Sequence, residues 1–139
     1  MGEQQDRVLV VDDEPSVRLT IKAFLEGQGM VVETAENGAE ALNLLAAGPP
    51  PDIILLDLMM PILGGWQFLD LKARDARLKD IPVVLTTAFE HEGIRLEQVV
   101  AMLRKPFDLD RLLAELRKAI GRPVAERQQT AKEAETTVR

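Results

Sequence analysis

Short apolar segments recur at five places along the chain, and their alternation with helical patterns constrains the fold more than any other feature. They cover residues 8–11, 31–35, 53–56, 83–86 and 100–103. Three are continuous aliphatic runs, which are typical of strands buried on both faces, whereas Glu33 in the second segment indicates an edge strand. We therefore predict a parallel sheet of five strands.

The segments between these strands carry apolar residues at helical spacing. One face is shared by Val17, Ile21, Phe24 and Leu25 in the first segment, and by Gly38, Ala41, Leu42 and Leu45 in the second. The clearest pattern is the last one, with Asp108 as its predicted N-cap and Gly121 just beyond its end. Residues 90–99 form a weaker pattern, because Gly93 lowers helix stability. The alternation predicts an α/β, doubly wound fold with helices on both faces of the sheet.

The 139 residues are enough for one domain with a modest aliphatic core. We expect this domain to occupy residues 7–121, after a disordered N-terminus at residues 1–6. Residues 122–139 contain almost no large apolar side chains, and Pro123 opposes continuation of the last helix. This segment is therefore predicted to be a polar flexible tail or linker.

Composition excludes several classes of function. The absence of cysteine removes disulfides, thiolate zinc sites and cysteine nucleophiles. His91 and Ser16 are the single residues of their types, which excludes a two-histidine metal site and disfavours a serine–histidine hydrolase. The net charge of −6 disfavours direct binding to nucleic acid. No apolar run reaches the roughly 18 residues of a membrane span, and the polar start is unlike a signal peptide, so we expect a cytoplasmic protein.

Polar residues follow four of the predicted strands at the point where each strand ends. Asp12 and Asp13 follow the first strand, Asp57 the third, Thr87 the fourth and Lys105 the fifth. Ligands of open parallel sheets bind outside the carboxyl ends of the strands, so these residues are predicted to converge at one edge.

Each of these residues also has an ordinary structural interpretation. The sequence Asp12-Asp13-Glu14-Pro15 is typical of a helix start, with an aspartate cap and proline in the first turn. Asp57 is harder to explain in this way, because a charge between apolar residues must find partners. Clustered carboxylates repel each other and favour a hard divalent cation, Mg²⁺ or Mn²⁺, over zinc. A hydroxyl and an ammonium group beside such a cluster complete a site for a transferring phosphoryl group.

The motifs Asp12-Asp13, Asp57 in LLDLMMP, Thr87 in LTTA and Lys105-Pro106-Phe107 resemble the receiver domain of bacterial two-component response regulators. The resemblance covers residues 7–120. It implies a flavodoxin-like sheet in strand order 2-1-3-4-5 surrounded by five helices, in agreement with the pattern above.

The resemblance also implies roles for individual residues. Asp57 would accept a phosphoryl group from a phosphohistidine on a sensor histidine kinase or phosphotransfer protein. Asp13, Asp57 and the Met59 backbone carbonyl would bind Mg²⁺ directly, and Asp12 would act through water. The protein would thus be a phosphoprotein in a phosphorelay rather than an enzyme, although it would promote its own phosphorylation and dephosphorylation.

Further residues follow from the same resemblance. Thr87 would donate a hydrogen bond to a phosphoryl oxygen, and Lys105 would pair with another. Pro106 is predicted to follow a cis peptide bond, which only proline makes inexpensive. The small Ala88 would leave room for a donor or an attacking water. Hydrolysis of the phosphoryl group would then reset the switch.

The sequence departs from the family pattern on the surface that usually communicates with partners. Met102 occupies a position where family members commonly have tyrosine or phenylalanine, so this chain lacks the aromatic ring that the resemblance would lead us to expect there. The interval from Thr87 to Lys105 is shorter than usual by about one helical turn, which implies a truncated helix before the fifth strand. This surface is nonetheless a candidate for contact with a downstream protein, a kinase or a second copy of the chain.

Two other classes of function compete with the phosphoacceptor switch. A Mg²⁺-dependent phosphatase similar to the haloacid dehalogenase enzymes would use Asp57 as nucleophile, but it needs a second acid where this chain has Met59. A degenerate receiver would act only as a protein-binding module. The complete set of Asp12, Asp13, Asp57, Thr87 and Lys105 disfavours that class.

Overall fold

The computed structural model describes residues 5–88 and 98–120. Its elements, in chain order, are β1 (Arg7–Val11), α1 (Pro15–Gly27), β2 (Val31–Ala35), α2 (Gly38–Ala47), β3 (Ile53–Asp57), α3 (Gly65–Ala73), β4 (Val83–Thr87), β5 (Val99–Arg104) and α4 (Leu109–Ala119). All five predicted strands are present, and each differs from its predicted bounds by one residue or less at either end. The extensions at the ends of β3 and β4 bring Asp57 and Thr87 into the strands themselves.

The five strands form one parallel sheet in the order β2-β1-β3-β4-β5. The predicted fold class and strand order are therefore confirmed. The charged strand β2 lies at an edge, as predicted from Glu33, and the central strand β3 is buried along its whole length. Because all strands run in one direction, their carboxyl ends lie along the same edge of the sheet.

Two apolar layers cover the sheet, one on each face. Val8 and Val10 of β1 face a layer containing α1 and α4, whereas Leu9 and Val11 face a layer containing α2 and α3. The buried helical residues of the first layer are Ile21, Leu25, Leu112, Leu113, Leu116 and Ala119, and those of the second are Ala41, Leu45, Phe68 and Leu69. Each large side chain buried in this way stabilises the fold by roughly 1.5–3 kcal/mol. Helices therefore pack on both faces, as the sequence predicted.

The helix ends correct some details of the prediction. Pro15 opens α1, but the N-cap position is Glu14 rather than an aspartate, and its side chain makes no capping hydrogen bond. Asp108 is the N-cap of α4, as predicted, while Gly121 lies outside the described residues.

A weaker pattern predicted a helix at residues 90–99. Residues 90–97 of this segment lie outside the described residues. It is wrong at its last position, because Val99 pairs with Val83 and begins β5. Over the ranges 5–88 and 98–120, no helix combines the length and apolar character needed to cross a membrane.

Candidate functional site

The carboxyl ends of β1 and β3 bring three carboxylates together. Asp12 directly follows β1, and Asp57 ends β3 beside it, because Val11 is in register with Leu56. One carboxylate oxygen from each of Asp12, Asp13 and Asp57 lies within 4.8 Å of the others. Asp12 and Asp57 are buried, whereas Asp13 is half-buried. The predicted convergence at this edge is therefore observed in the structure.

Lys105 faces this cluster from the end of β5. Its Nζ donates hydrogen bonds to Asp12 Oδ2 at 2.8 Å and to Asp57 Oδ2 at 3.4 Å. The backbone N–H of Lys105 donates to the Thr87 carbonyl at 2.7 Å, which joins the ends of β4 and β5. Thr87 itself is buried. Thus the Lys105 ammonium contacts the acidic cluster directly, and Thr87 is joined to Lys105 through the backbone.

Burial dominates the electrostatics of Asp57, whose relative exposure is 4%. Burial raises the pKa of the Asp57 carboxyl to about 6, Lys105 opposes this rise, and the Asp12 carboxylate adds to it. The Met59 backbone N–H donates to Asp57 Oδ1 at 3.2 Å and also opposes the rise. Asp57 is consequently a more basic carboxylate than an exposed aspartate.

At Lys105, neighbouring charges outweigh the effect of burial on the pKa. Burial acts to lower the pKa of Lys105, but the hydrogen bond and charge of Asp12, together with the charge of Asp57, outweigh it and raise the pKa. Lys105 is therefore held protonated, as a group that neutralises anionic oxygen must be.

Asp12 is held in place by three further backbone contacts. Its N–H donates to the Ala35 carbonyl at 3.1 Å, and its Oδ1 accepts from the Glu14 N–H at 2.9 Å. Its carbonyl accepts from Arg18 Nη1 at 2.7 Å. Sequence reasoning missed Arg18. The sequence feature that could have identified it is a basic residue one turn into the helix that follows Asp12 and Asp13.

The loop between β3 and α3 is packed closely against the end of β3. A Cβ atom at Gly65 would lie 2.7 Å from Leu58 Cα and 2.9 Å from the Asp57 carbonyl oxygen. Glycine is therefore required for α3 to begin this close to the site. The loop contains Met59, whose side chain is exposed.

Three further predicted positions surround Lys105. The Lys105–Pro106 peptide bond is cis, as predicted. Ala88 is exposed and shares a groove with Lys105 and Pro106. Met102 is half-buried in β5 and packs against the layer that contains α2 and α3. The position that commonly carries an aromatic ring is thus filled by a flexible thioether.

The residues at this edge fit a divalent cation. The three clustered ligand groups are all carboxylates, which suit magnesium or manganese and not soft metals. Because Lys105 neutralises only part of their charge, the cluster retains an excess of negative charge near neutral pH. A cation would offset the remaining repulsion.

A doubly wound sheet with an acidic cluster and a lysine at its carboxyl edge is typical of α/β domains that bind a divalent cation and a phosphoryl group. Residues 8–117 match the family described as "Response regulator receiver domain". The chain therefore belongs to the receiver domain family of response regulators, which are signalling proteins of two-component systems.

Relatives of known sequence agree with this assignment. Response regulator Rre1 of Synechocystis sp. is 41% identical over 123 residues, which cover 85% of this chain and 53% of that protein. The DNA-binding dual master transcriptional regulator RpaA of the same organism is 34% identical over 120 residues, covering 84% of this chain and 49% of that protein. The chain spans about half the length of the curated relatives it matches.

Solved structures show the same fold. The chemotaxis response regulator CheY4 of Vibrio cholerae aligns with a TM-score of 0.77 at 29% identity, covering 84% of this chain and 100% of that one. Response regulator TrrA of Thermotoga maritima, solved in complex with Mg²⁺-BeF, aligns with a TM-score of 0.73 at 33% identity, again covering 84% and 100%.

Proposed function

We propose that this domain is a phosphoacceptor switch in which Asp57 takes a phosphoryl group from a phosphohistidine on a sensor histidine kinase or phosphotransfer protein. The observation that carries the proposal is the setting of Asp57. It is a buried carboxylate at a strand end, clustered with Asp12 and Asp13 and within 3.4 Å of the Lys105 ammonium. A buried anion with that surplus of negative charge is costly for folding alone, and a role in phosphoryl transfer explains its presence.

The transfer needs no proton to be removed from Asp57. With a pKa of about 6, the carboxyl is largely ionised at neutral pH, and its raised pKa makes it a better nucleophile than an exposed aspartate. One of its oxygens forms the new bond to phosphorus while the bond between phosphorus and the histidine nitrogen breaks. The departing imidazole nitrogen keeps the electron pair, and Asp57 becomes an acyl phosphate.

Lys105 and Thr87 act on the oxygens of the transferring group. The Lys105 ammonium is already bound to the carboxylates of Asp12 and Asp57, so a phosphoryl oxygen on Asp57 comes within its reach. Thr87 would donate its hydroxyl to another phosphoryl oxygen. Both contacts favour the transition state because they are aimed where negative charge accumulates.

Asp12, Asp13 and Asp57 would hold a magnesium or manganese ion, with Asp12 acting through water and the Met59 carbonyl as a further ligand. When bound, the ion would neutralise negative charge on the phosphoryl group. The oxygen-only cluster supports this part of the proposal. Further support comes from TrrA of Thermotoga maritima, a 33% identical protein described in complex with Mg²⁺-BeF.

Phosphorylation would change the surface that a downstream protein recognises. A phosphoryl group adds about −1.5 to −2 charges at this edge of the sheet, which draws Thr87 and Lys105 toward it. Space behind Thr87 would be filled by Met102 rather than by an aromatic ring. The small Ala88 would leave a path for the water that hydrolyses the acyl phosphate. We place this cycle in the cytoplasm, where the kinase would supply the phosphoryl group.

Intact mass spectrometry tests this proposal. Wild-type protein incubated with acetyl phosphate and Mg²⁺ should gain a single phosphoryl group, about 80 Da, and the gain should disappear in Asp57→Asn or with excess chelator. Asp52→Asn, at an exposed carboxylate in the turn before β3, is the matched control and should still be phosphorylated.

The same experiment separates the competing classes. A phosphatase would hydrolyse acetyl phosphate continuously, through rapid turnover of its acyl phosphate, and would not accumulate the phosphorylated form. A module that only binds partners would remain at its original mass with every donor. Either result would contradict the proposed switch.

A further inference from the structure

The three clustered carboxylates differ in how firmly the protein holds them. Both oxygens of Asp12 and both oxygens of Asp57 accept hydrogen bonds, from backbone N–H groups and from the Lys105 ammonium. Within residues 5–88 and 98–120, by contrast, the Asp13 carboxylate has no hydrogen-bond or ion-pair partner. The direction of the Asp13 side chain therefore depends on the backbone that carries it.

Arg18 of α1 contacts this backbone on both sides of Asp13. Its Nη1 donates to the Asp12 carbonyl at 2.7 Å, and its own N–H donates to the Glu14 carbonyl at 3.0 Å. The Arg18 side chain is half-buried, so it lies against the protein rather than in solvent. Asp13 is thus bracketed in the chain by two hydrogen bonds from one residue.

The direction of the Asp12 carbonyl controls the placement of Asp13 because a peptide unit is planar. The carbonyl oxygen, the nitrogen that follows it and the Asp13 Cα lie in one plane, so a donor that fixes the carbonyl also fixes this Cα. Asp12 is only 2% exposed, and water is therefore poorly placed to substitute for the Arg18 guanidinium. Without Arg18, the Asp12 carbonyl would lose this partner, and the peptide unit would be freer to rotate.

Support of this kind matters for a ligand that must meet two others at one ion. Removing a group that orients a metal ligand through hydrogen bonds commonly lowers metal affinity by about 10–100-fold. Asp13 is one of the three clustered ligand groups, and it is the one whose carboxylate is not held directly. The geometry of the cluster should therefore be most sensitive to the contact that fixes the Asp13 backbone.

We infer that Arg18 is a positioning residue for the divalent cation, which holds the Asp12–Asp13 peptide unit so that the Asp13 carboxylate stays beside those of Asp12 and Asp57. This inference rests on the proposed function, because it assumes that the acidic cluster binds Mg²⁺ or Mn²⁺. Arg18 makes its contribution through the Asp12 carbonyl and not through contact with the cation.

The charge of Arg18 and its hydrogen bond act in opposite directions on a bound cation. A guanidinium near the cluster repels a divalent cation, so removal of the charge alone would tighten binding. Removal of the hydrogen bond should weaken binding, because the Asp13 backbone is no longer fixed. The sign of the change in affinity therefore distinguishes a positioning role from an electrostatic one.

Mn²⁺ affinity tests this role without any phosphoryl donor. The electron paramagnetic resonance signal of free Mn²⁺ would give the dissociation constant for wild type, Arg18→Met and Arg18→Lys. Methionine removes both the charge and the donor, whereas lysine keeps the charge and a donor. Lys22→Met is the matched control, because Lys22 lies one turn further along the same face of α1 and binds Glu26 and the Val32 carbonyl instead.

Arg18→Met should raise the Mn²⁺ dissociation constant about tenfold, and Arg18→Lys should recover part of this loss. Lys22→Met should stay within about twofold of wild type, because its exposed charge is screened. Thermal unfolding with chelator shows whether each variant is folded at the temperature of the titration. Arg18→Ala takes the place of Arg18→Met if the methionine variant does not fold.

Labelling by acetyl phosphate provides a second readout. In Arg18→Met, the Mg²⁺ concentration that gives half the maximal labelling rate should rise about tenfold. The maximal rate at saturating Mg²⁺ should stay within about threefold of wild type, because the ion, once bound, restores the position of Asp13. A general loss of structure would instead lower the maximal rate and leave the half-maximal Mg²⁺ concentration unchanged, which would contradict the positioning role.

The outcomes distinguish this inference from the proposed function. If wild type binds no Mn²⁺, or binds it no more tightly than Asp13→Asn does, the cation site of the proposed function is wrong and this inference falls with it. If Asp13→Asn weakens binding but Arg18→Met leaves it unchanged or tightens it, Arg18 does not position the cation ligands and the proposed function stands.

Discussion

Two regions of the molecule bury charge, and they do so at opposite edges of the same sheet. At the carboxyl edge, Asp12 and Asp57 are buried and face Lys105. Near the amino ends of β4 and β5, Lys72 of α3 is fully buried. Its Nζ donates to Gln98 Oε1 at 2.7 Å and to the Lys79 carbonyl at 3.2 Å. The first region has more carboxylates than ammonium groups and so retains an excess of negative charge. In the second region, the buried Lys72 ammonium is hydrogen-bonded to neutral oxygen atoms.

The pKa values of the two regions reflect the same physical cause. Burial raises the pKa of Asp57 to about 6 and lowers the pKa of Lys72 to about 8, with Asp80 opposing the second shift. Burial thus disfavours the charged form in each case. What differs is the surroundings. Lys72 is part of a closed network, because Gln98 Nε2 also donates to the Leu69 carbonyl at 2.9 Å. Lys72 therefore has a structural role, while the acidic site can still bind a cation and a phosphoryl group.

Two substitutions of Lys72 separate the contribution of side-chain volume to stability from the contribution of charge, and we expect the largest change in stability at this position. Lys72→Ala should lower the free energy of unfolding by about 2–4 kcal/mol, because it leaves a cavity and removes the donor to Gln98 and Lys79. Lys72→Met keeps most of the volume and removes a buried charge, so its loss should be only about 1 kcal/mol. Urea denaturation at pH 7 measures both values. Equal stability of Lys72→Ala and wild type would show that the lysine is not buried.

The next prediction concerns Asp57 in the absence of divalent ions. Because its pKa in the folded state is raised above the unfolded value, its contribution to stability is complete below about pH 3.8 and is lost as the pH rises through about 6. Asparagine at position 57 does not titrate, so the variant lacks this loss. As the pH rises from 4 to 7, the free energy of unfolding of Asp57→Asn should therefore increase by about 2 kcal/mol relative to that of wild type. Unfolding measured with chelator at both pH values checks the sign. A difference between the proteins that is independent of pH would contradict the raised pKa.

The smallest effect is stabilisation by magnesium at the open region. A site with millimolar affinity would raise the free energy of unfolding by about 1 kcal/mol at 10 mM Mg²⁺. This increase should be absent in Asp13→Asn and unchanged in Lys72→Met, because Lys72 lies at the other edge of the sheet. Thermal unfolding with and without Mg²⁺ provides the measurement. An equal shift in wild type and Asp13→Asn would place the ion elsewhere.

The acidic region could be predicted from sequence, because its geometry follows from topology. Five apolar runs separated by helical patterns define parallel strands, and the carboxyl ends of parallel strands lie at one edge. Residues at the ends of those strands, such as Asp12, Asp57 and Lys105, are thereby brought to the same edge. The strand order 2-1-3-4-5, by contrast, was implied by the resemblance to receiver domains and does not follow from this pattern.

The enclosed region could not be predicted in this way. The positions of Phe68 and Leu69 put Lys72 on the buried face of α3, while the apolar Leu71 next to it is exposed. Sequence patterns assign a lysine to solvent. The contacts with Gln98, 26 residues away, and with the Lys79 carbonyl make the buried position acceptable. The positive φ of Ile62, 69°, is equally hard to predict from sequence. The loop that contains it is held partly by a hydrogen bond from the Gly38 N–H, at the start of α2, to the Leu63 carbonyl.

If the carboxyl-edge site accepts a phosphoryl group on Asp57, the position of that group in the chain can be determined chemically. Protein phosphorylated by acetyl phosphate with Mg²⁺ would be reduced with borohydride, which converts an aspartyl phosphate to homoserine, and then mapped by peptide mass spectrometry. We expect homoserine at position 57 and unmodified aspartate at positions 12, 13 and 52. Homoserine at any other aspartate, or none in fully phosphorylated protein, would contradict it.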